Sequence, residues 1–487
     1  MSADSTSNTD ESSNRHVLSL ESISWSGPQL YIDVTFDGVK FPSVLWYDFN
    51  LSELHAYYGD EVMERVYFHI AAFTLLKLTS LKPSVIRISD KLTKHYTVHF
   101  QELWKTSFEN VLGQWRYENN MANWKGPEFC CSPQTTAPVP AKMKAPQVFS
   151  KDGVPVENIE YCGGGKDGLL AMKLLESANT PFATFSYSIS QYGSAKGQFE
   201  RAQSILQQCK AVKSHFVMIT DTFLDIPIHP TDDQWMKKLG VKSRSDSALT
   251  EIFSILPVML QYGYQYAVIG NEHSANTGNL EWADEEGRQV NHQWGKAYEA
   301  EQVFSRYIGQ FIVAEGRYYS ILQPIHDIVI FTLLRQYLDA VPFCHSCNRK
   351  PPWCKRCPKC CYVWLSFQAY LPKSIIDPMF DDENLFDAEE NQLFFTQMLG
   401  LGDQKPFECV GEIREVQLAF ELCRRKGIRG RAMEVFEREF GSNFDVTPIV
   451  KCYATVHKEK HSIPEKIAEQ VIPKMELAAT CIKTELQ

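Results

Sequence analysis

A glycine-rich turn is the first part of this chain whose residue types could do chemistry. Residues 161–168 have the sequence YCGGGKDG and lead directly into an apolar stretch with helical spacing. The glycines permit a tight turn and a close approach to a ligand, and the helix N-terminus offers N–H groups and a positive dipole end to an anion. Lys166 adds a cation, while Asp167 is able to hold Mg²⁺ or to cap the helix. On spacing alone, phosphate binding and a plain structural turn are equally good interpretations.

A second segment contains several side chains capable of acid–base chemistry, and it follows the strand predicted at residues 266–270. Residues 270–279 are GNEHSANTGN and residues 290–301 are VNHQWGKAYEAE. Ligands lie beyond the carboxyl ends of parallel strands, so the segment as a whole favours a site. The proton-transfer candidates are His273, His292, Lys296 and Glu299, and the substrate-binding candidates are Asn271, Glu272, Asn276, Asn279 and Asn291. For any one of these residues, a polar loop satisfying its own backbone is the commoner explanation.

A cluster of cysteines forms the third feature. The chain has 14 cysteines, of which six lie within residues 344–361. Cys347, Cys354, Cys357 and Cys360 supply four thiolates on a short loop, which suits tetrahedral Zn²⁺ in a closed structural site. Cys344 and Cys361 leave the ligand set ambiguous, and an iron–sulfur cluster or reduced buried cysteines are the alternatives.

The glycine-rich turn resembles the PP-loop of the ATP-pyrophosphatase superfamily, which has the pattern SGGxDS. Gly164, Gly165 and Asp167 match this pattern, whereas Gly163 and Gly168 replace its two serines. The polar segment, together with GQWRYENNM at residues 113–121 and KPFECVGEIREV at residues 405–416, is similar to the UDP-N-acetylmuramoyl-L-alanyl-L-glutamate epimerase family. The resemblance extends in patches from about residue 30 to residue 416. It departs at Gly295 and Ala297, where the family has serines on both sides of the lysine.

This resemblance implies inversion of the terminal L-glutamate of UDP-N-acetylmuramoyl-L-alanyl-L-glutamate, with ATP converted to AMP and pyrophosphate. Adenylating a carboxylate removes its charge and makes its α-hydrogen acidic enough for a base to take. The resemblance implies that a PP-loop binds ATP with Mg²⁺, and its residues here are Gly163, Gly164, Gly165, Lys166 and Asp167. A similar cysteine-rich loop in related PP-loop enzymes supports Zn²⁺.

Two other functions stay open at this point. The chain could be another PP-loop enzyme that adenylates a carboxylate for amide or nitrile formation, which would need a nitrogen donor where an epimerase would not. It could also be a non-catalytic, zinc-stabilised binding protein on a decayed PP-loop scaffold, since both serines of the loop are replaced. Release of pyrophosphate separates the enzymes from the binding protein.

The order of predicted elements indicates an α/β fold around these motifs. Strands at 156–162, 182–187, 216–220 and 266–270 alternate with helices at 169–175, 198–209 and 248–262, which predicts a parallel sheet with right-handed crossovers. Before them, residues 30–36 alternate like a strand and residues 51–78 have helical spacing. We expect a disordered tail (1–16), an N-terminal α+β domain (17–148), a PP-loop ATP-binding α/β domain (149–343), a zinc loop (344–361) and a helical C-terminal region (362–487).

Composition narrows the class of protein. The 487 residues are 44% hydrophobic and 22% charged, which is ordinary for a globular protein. Forty-nine basic and 59 acidic residues give a net charge of −10, which argues against a broad basic surface for nucleic acid. The polar, acidic N-terminus does not resemble a secretory signal, and no apolar run has membrane-spanning length. We therefore expect a cytoplasmic protein that binds a small anionic substrate and neither nucleic acid nor a membrane.

Overall fold

The computed structural model describes residues 15–223, 239–243, 245, 249–283, 287–347, 349–441 and 443–486. The tail expected at residues 1–16 therefore lies almost wholly outside the described residues. No described helix is long and apolar enough to cross a membrane.

Thirteen strands are present in these residues, and eleven of them form one sheet. In chain order, β1 to β13 are Val17–Ser26, Gln29–Phe36, Val39–Lys40, Ser43–Trp46, Val85–Ile88, Glu128–Phe129, Asn158–Tyr161, Phe182–Ile189, Lys213–Asp221, Tyr266–Ile269, Leu280–Trp282, Arg288–Val290 and Arg317–Ser320. The order across the sheet is β13-β10-β7-β8-β9-β4-β2-β1-β5-β6, with β3 beside β2. Strands β11 and β12 pair as a separate antiparallel ribbon.

The strands from β13 to β9 are parallel, which confirms the predicted alternation of strands and helices. From β7 the chain first adds β8 and β9 on one side, and it later adds β10 and β13 on the other. The connections that leave β7 and β10 therefore diverge and open a crevice at the carboxyl ends of these two strands, which is the usual ligand position in such sheets. Strand β13 was not among the predicted strands.

The sheet continues into the N-terminal part of the chain. Strand β4 pairs antiparallel with β9, so that Ser43 lies opposite Asp221 and Trp46 opposite Met218. Strands β2, β1, β5 and β6 follow beyond β4. The boundary expected at residue 148 thus divides stretches of chain that share one mixed, mostly parallel sheet.

Seventeen α-helices are described, and eight of them begin after residue 320. In chain order, α1 to α17 are Ser52–Tyr58, Asp60–Leu78, Val98–Val111, Gly113–Glu118, Lys166–Ser177, Ala195–Leu206, Thr250–Ser254, Leu256–Tyr262, Tyr298–Tyr307, Asp327–Leu334, Pro358–Tyr370, Lys373–Met379, Gln392–Met398, Ile413–Arg425, Arg431–Phe440, Thr447–Tyr453 and Glu465–Leu486. The helical pattern predicted at residues 51–78 is split at Gly59, whose φ of +81° favours glycine.

Two hydrophobic clusters cover the two faces of the sheet. Side chains alternate between faces along a strand, and Tyr318 of β13 joins one cluster while Tyr319 joins the other. The first cluster contains α2 and the N-terminal strands. The second contains α5, α10, α11 and the C-terminal helices. The protein is therefore a layered α/β structure whose strand ends at β7 and β10 remain available for a site.

One buried carboxyl in this core should make stability depend on pH. Glu301 on α9 is 1% exposed, and its Oε2 accepts a hydrogen bond from the backbone N–H of Ser320 over 2.8 Å. Burial raises the pKa of Glu301 to about 7, although hydrogen bonds from Ser320 and Ser462 oppose the shift. The folded state therefore binds a proton more tightly than the unfolded state, and this group contributes stability that is lost as pH rises from about 4.5 to 7.

Glu301→Gln should remove that loss, which for a shift of this size is roughly 2.5 kcal/mol between pH 5 and pH 8. Denaturant unfolding at both pH values measures it, with the exposed neighbour Glu299→Gln as the matched control. Equal pH dependence in the wild type and in Glu301→Gln would contradict the assignment.

Candidate functional site

The glycine-rich turn lies between β7 and α5, at the crevice of the sheet. Gly164 has a φ of +82°, and a Cβ atom there would overlap the imidazole of His345. The backbone N–H of His345 donates to the carbonyl of Gly164 over 2.8 Å. The His345 Nε2 atom is buried and has no hydrogen-bond partner among the described residues, although its ring lines the cavity above the turn. Glycine is therefore required at 164, because the His345 ring occupies the space that a side chain would need.

The Lys166 side chain points inward from the first turn of α5 and is 4% exposed. Its Nζ lies 2.6 Å from Asp327 Oδ1 and 2.5 Å from Asp167 Oδ1. The Tyr362 hydroxyl donates to the other oxygen of Asp327 over 2.6 Å. Burial alone would lower the pKa of Lys166, but Asp167, Asp327 and Glu272 outweigh it and raise the pKa above its usual value. Lys166 is thus a buried ammonium group that links the glycine-rich turn to Asp327.

The connection after β10 forms the other side of the crevice. A Cβ atom on Gly270 would lie 2.7 Å from the carbonyl oxygen of Asp167, so the two connections touch through backbone atoms. Asn271 and Glu272 follow, and both line the cavity, as does the Asp167 carboxylate. The Asn271 backbone N–H donates to Ser320 Oγ over 2.8 Å, which ties this connection to β13.

The cavity between the glycine-rich turn and the connection after β10 has a volume of about 470 Å³. Most of the predicted ATP-binding residues line it. Gly163, Gly165, Lys166 and Asp167 line it, whereas Gly164 is covered by His345. Tyr187, Tyr192 and Arg201 form the wall on the side of β8. An anion binding at the turn would therefore sit with aromatic side chains beside it.

Lys296 brings a second cation to the same cavity. Its Nζ is 3.7 Å from Glu272 Oε1. Burial by itself would lower the pKa of Lys296, but Cys409, Glu272 and Asp167 raise it above its usual value. Lys296 is therefore an ammonium group at neutral pH, and it suits the stabilisation of negative charge on a bound substrate better than it suits proton abstraction.

A neighbouring cavity of about 530 Å³ adjoins the first one, and His292 and Cys409 are among the residues that line both. Gln114, Trp115 and Glu118 of α4 lie along its wall. His292 Nδ1 is 2.6 Å from Gln114 Oε1. Because an amide oxygen only accepts hydrogen bonds, this contact places the proton of the neutral ring on Nδ1 and makes Nε2 the acceptor nitrogen.

The remaining proton-transfer candidates lie outside both cavities. His273 Nδ1 contacts the Gln323 carbonyl over 2.8 Å, and its ring stacks on His457 at 3.7 Å between centroids. Glu299 is exposed and accepts from Trp294 Nε1 over 3.1 Å. The structure brings His292 and Lys296 together at the cleft but does not bring His273 or Glu299 there.

Three of the five substrate-binding candidates are engaged within the loops themselves. The Asn276 amide donates to the carbonyl of His273 over 2.7 Å. Asn279 accepts from the His292 backbone N–H over 2.9 Å and donates to the Pro406 carbonyl over 2.7 Å. Asn291 donates to the Ala275 carbonyl over 2.9 Å. Asn271 and Glu272 remain as the members of that group that line the cavity.

The four cysteines predicted as metal ligands converge. The thiols of Cys347, Cys354, Cys357 and Cys360 all lie within 4.8 Å of one another. Backbone N–H groups donate to three of the sulfurs over 3.3–3.4 Å, which stabilises thiolate character. Cys344 and Cys361 are not members of this group. Four soft donors at such spacing fit one tetrahedral Zn²⁺ ion.

A group of three histidines is the second arrangement with metal-ligand types. The nearest ring nitrogens of His273, His326 and His457 also lie within 4.8 Å of one another. The rings of His273 and His457 are parallel to within 2°. Because imidazole lone pairs lie in the ring plane, two stacked parallel rings do not aim at one ion, and the four cysteines are the better metal site.

Sequence reasoning did not single out two groups near the cleft, Cys409 and Lys405. Lys405 is 4% exposed, its Nζ has no hydrogen-bond partner among the described residues, and burial lowers its pKa despite nearby Glu412 and Glu415. Both groups lie in the stretch at residues 405–416 that was used only for its resemblance. Their position in a stretch that resembles the epimerase family was the one sequence feature that could have indicated a functional role.

Comparison with known proteins identifies two matching family models. The model described as the MurL N-terminal domain matches residues 248–321, and the one described as the MurL C-terminal domain matches residues 343–439. The first covers the connection after β10, and the second covers the cysteine loop and Cys409. Both matches therefore include residues of the cleft.

Three curated relatives carry the name UDP-N-acetyl-alpha-D-muramoyl-L-alanyl-L-glutamate epimerase. The protein from Xanthomonas oryzae pv. oryzae is 26% identical over 376 residues, covering 74% of this chain and 75% of the relative. The protein from a Micromonospora species is 25% identical over 59% of this chain and 61% of its own length. The protein from Salinispora tropica is 31% identical over 36% of this chain and 39% of its own length. The chain thus spans less than two thirds of the second and third relatives.

The two family models and the three relatives agree with each other and with the resemblance carried by the glycine-rich turn, the polar segment and the stretch at residues 405–416. Over these matched regions the chain is similar to proteins of the MurL epimerase family.

Proposed function

We propose that this protein epimerises the terminal L-glutamate of UDP-N-acetylmuramoyl-L-alanyl-L-glutamate in an ATP-dependent reaction through a carboxyl-adenylate, releasing AMP and pyrophosphate. The observation that carries the proposal is the cleft itself. A glycine-rich turn suited to an anion and groups suited to enolate chemistry line adjoining cavities at the carboxyl ends of β7 and β10. The names of the relatives supply the substrate.

The turn at residues 163–167 would act as the PP-loop. Its backbone N–H groups and the N-terminus of α5 would bind the phosphates of ATP, since unpaired donors and the helix dipole favour an anion there. Lys166 is held by Asp327, so it contributes its charge from behind the turn. Asp167 would hold Mg²⁺, and the metal would neutralise charge on the departing pyrophosphate. The missing serines of the pattern would be replaced in this chain by backbone donors.

Activation of the carboxyl explains the need for ATP. An ionised glutamate loses its α-proton only to form a dianion, which is costly. An adenylated carboxyl carries no such charge, and its α-hydrogen becomes acidic enough for a side chain to remove. Lys296, held charged beside Glu272, would stabilise the enolate oxygen that develops. Hydrolysis of the adenylate after inversion would release the product.

The four-cysteine loop would bind Zn²⁺ and hold one wall of the cleft. Cys347 and Lys359 line the cavity, and His345 and Ser346 pack on Gly164 and Gly165 just before the first ligand. A metal that holds this loop in place would therefore also hold His345 and Ser346 against the glycine-rich turn. Its role would be structural, as four protein ligands leave no open coordination position.

The function is tested by incubating the protein with ATP, Mg²⁺ and the muramoyl dipeptide in D₂O. We expect AMP and pyrophosphate, together with deuterium at the glutamate α-carbon and the D-configuration in the product, without any added nitrogen donor. AMP formation that depends on ammonia or an amine and leaves the α-hydrogen in place would show a ligase. No ATP turnover with this substrate would overturn the proposal.

Asp167→Asn should lower the rate of AMP formation by about 10²-fold or more, because it removes the carboxylate that would hold the metal at the phosphates. Pyrophosphate release measures this rate. Asp152→Asn, in an exposed turn before β7, is the matched control and should keep wild-type turnover. Unchanged turnover in Asp167→Asn would refute the role of this carboxylate.

Cys357→Ser should lose nearly one equivalent of zinc, because three thiolates and a hydroxyl bind the ion more weakly than four thiolates. Elemental analysis of the purified protein measures the metal content, and AMP formation should fall with it as the cover of the turn loosens. Cys452→Ser, which changes an exposed cysteine outside the cluster, should retain both. A folded, active wild-type protein without metal would count against the zinc site.

A further inference from the structure

Cys409 is one of the residues that line both cavities. It lies half-buried in the connection between α13 and α14, and its side chain faces both spaces. The larger part of an acyl substrate would lie on the side of α4, and its adenylated carboxyl would lie toward the glycine turn. The α-carbon would then be near this junction.

His292 is the immediate partner of this thiol. The ligand atoms of the two side chains lie within 4.8 Å of each other, and His292 hydrogen-bonds Cys409. Gln114 accepts the Nδ1 proton of His292, while Asn279 accepts from the backbone N–H of the same residue. The ring is therefore held in the tautomer whose Nε2 accepts a thiol proton, which is the arrangement that activates a cysteine.

Charged groups around Cys409 favour the thiolate. Burial raises the pKa of the Cys409 thiol, but the ammonium groups of Lys296 and Lys359, with a smaller effect of His292, outweigh it and lower the pKa to about 7. Glu408 is the acidic neighbour, and its carboxylate accepts the backbone N–H of Cys409 over 3.0 Å. A substantial fraction of the thiol is therefore ionised at neutral pH.

We propose that Cys409 is the catalytic base that takes the α-proton of the bound glutamyl substrate, with His292 as the residue that positions and deprotonates its thiol. The inference rests on the epimerisation proposed above. Unlike His273 and Glu299, Cys409 lies at the cleft, and unlike Lys296 it is not held in its protonated form by acidic neighbours.

The proposed step conserves protons. The thiolate sulfur forms an S–H bond as the Cα–H bond breaks, and the electron pair moves to the acyl oxygen as an enolate beside Lys296. A water molecule protonates the opposite face of the α-carbon and leaves hydroxide. The thiol proton then passes through His292 to that hydroxide, which restores water and the thiolate. The substrate gains one solvent proton for the one it loses.

Cys409→Ala separates this inference from the proposed function. With ATP, Mg²⁺ and the muramoyl dipeptide in D₂O, we expect the variant to keep AMP formation within a few-fold of wild type, because the glycine turn is intact. It should lose α-deuterium incorporation and inversion by about 10²-fold or more, the usual contribution of a general base. Cys481→Ala, an exposed cysteine on α17, should behave as wild type.

Failure of the proposed function and failure of the role assigned to Cys409 give different results in this experiment. A wild-type protein that forms no AMP defeats the proposed function, whereas inverted product from Cys409→Ala defeats only the role of Cys409. An acyl group found covalently on Cys409 by mass spectrometry would make it a nucleophile and overturn its assignment as a base.

A second measurement does not depend on turnover. Site-resolved alkylation of the wild-type protein by iodoacetamide should show Cys409 reacting with an inflection near pH 7, since the thiolate is the reactive form. Lys296→Met should move that inflection upward by about one unit or more, because it removes the cation that lowers the pKa of Cys409 most. An inflection near the ordinary thiol pKa in the wild type, or protection of Cys409 by a second bound zinc ion, would overturn the proposal.

Discussion

A buried ion pair behind the glycine-rich turn is the interaction on which the rest of the site depends. Lys166 and Asp327 are each less than 5% exposed and lie 2.6 Å apart, and Tyr362 donates to the second oxygen of Asp327. Removing two charges from water is costly, and the cost is offset only when the geometry and the additional hydrogen bonds are all in place. The pair therefore ties together the beginnings of α5 and α10 and the first turns of α11. Helix α5 follows the glycine-rich turn, α10 follows the connection after β13, and α11 begins within the cysteine-rich loop.

The cleft is assembled from stretches of chain that are far apart in sequence and meet at the carboxyl ends of β7 and β10. Gly270 touches the backbone of Asp167, and His345 covers Gly164. The loop in which we propose zinc therefore lies over the turn in which we propose ATP. Such an arrangement would couple the two sites, since a loosened cysteine loop would uncover the glycine turn. The acidic net charge of the chain coexists with cations at the cleft, among them Lys296 and Lys359.

Features with a local signature were predictable. The alternation of strands and helices from β7 to β10 follows from periodicity, and the grouping of Cys347 with Cys354, Cys357 and Cys360 follows from short ligand spacing. The extension of the sheet through β4 and β9 was not predictable, because strand pairing over about 175 residues leaves no local pattern. His273 and Asn276 had the right residue types, but their partners Gln323 and His457 are distant in sequence. Cys409 was missed for the same reason, since its significance lies in its neighbours.

By itself, the sequence determined the residue types, the order of the elements and the resemblance to an epimerase family. These are properties of neighbouring residues, because glycine content, hydrophobic period and cysteine spacing act over a few positions. Only the tertiary structure decided which polar groups face a common space. It placed Lys166 against Asp327, left Glu299 exposed, and set His292 beside Cys409 with Gln114 holding its ring. Hydrogen bonding, burial and charge act through space, so a side chain acquires its chemistry from groups that the chain order does not reveal.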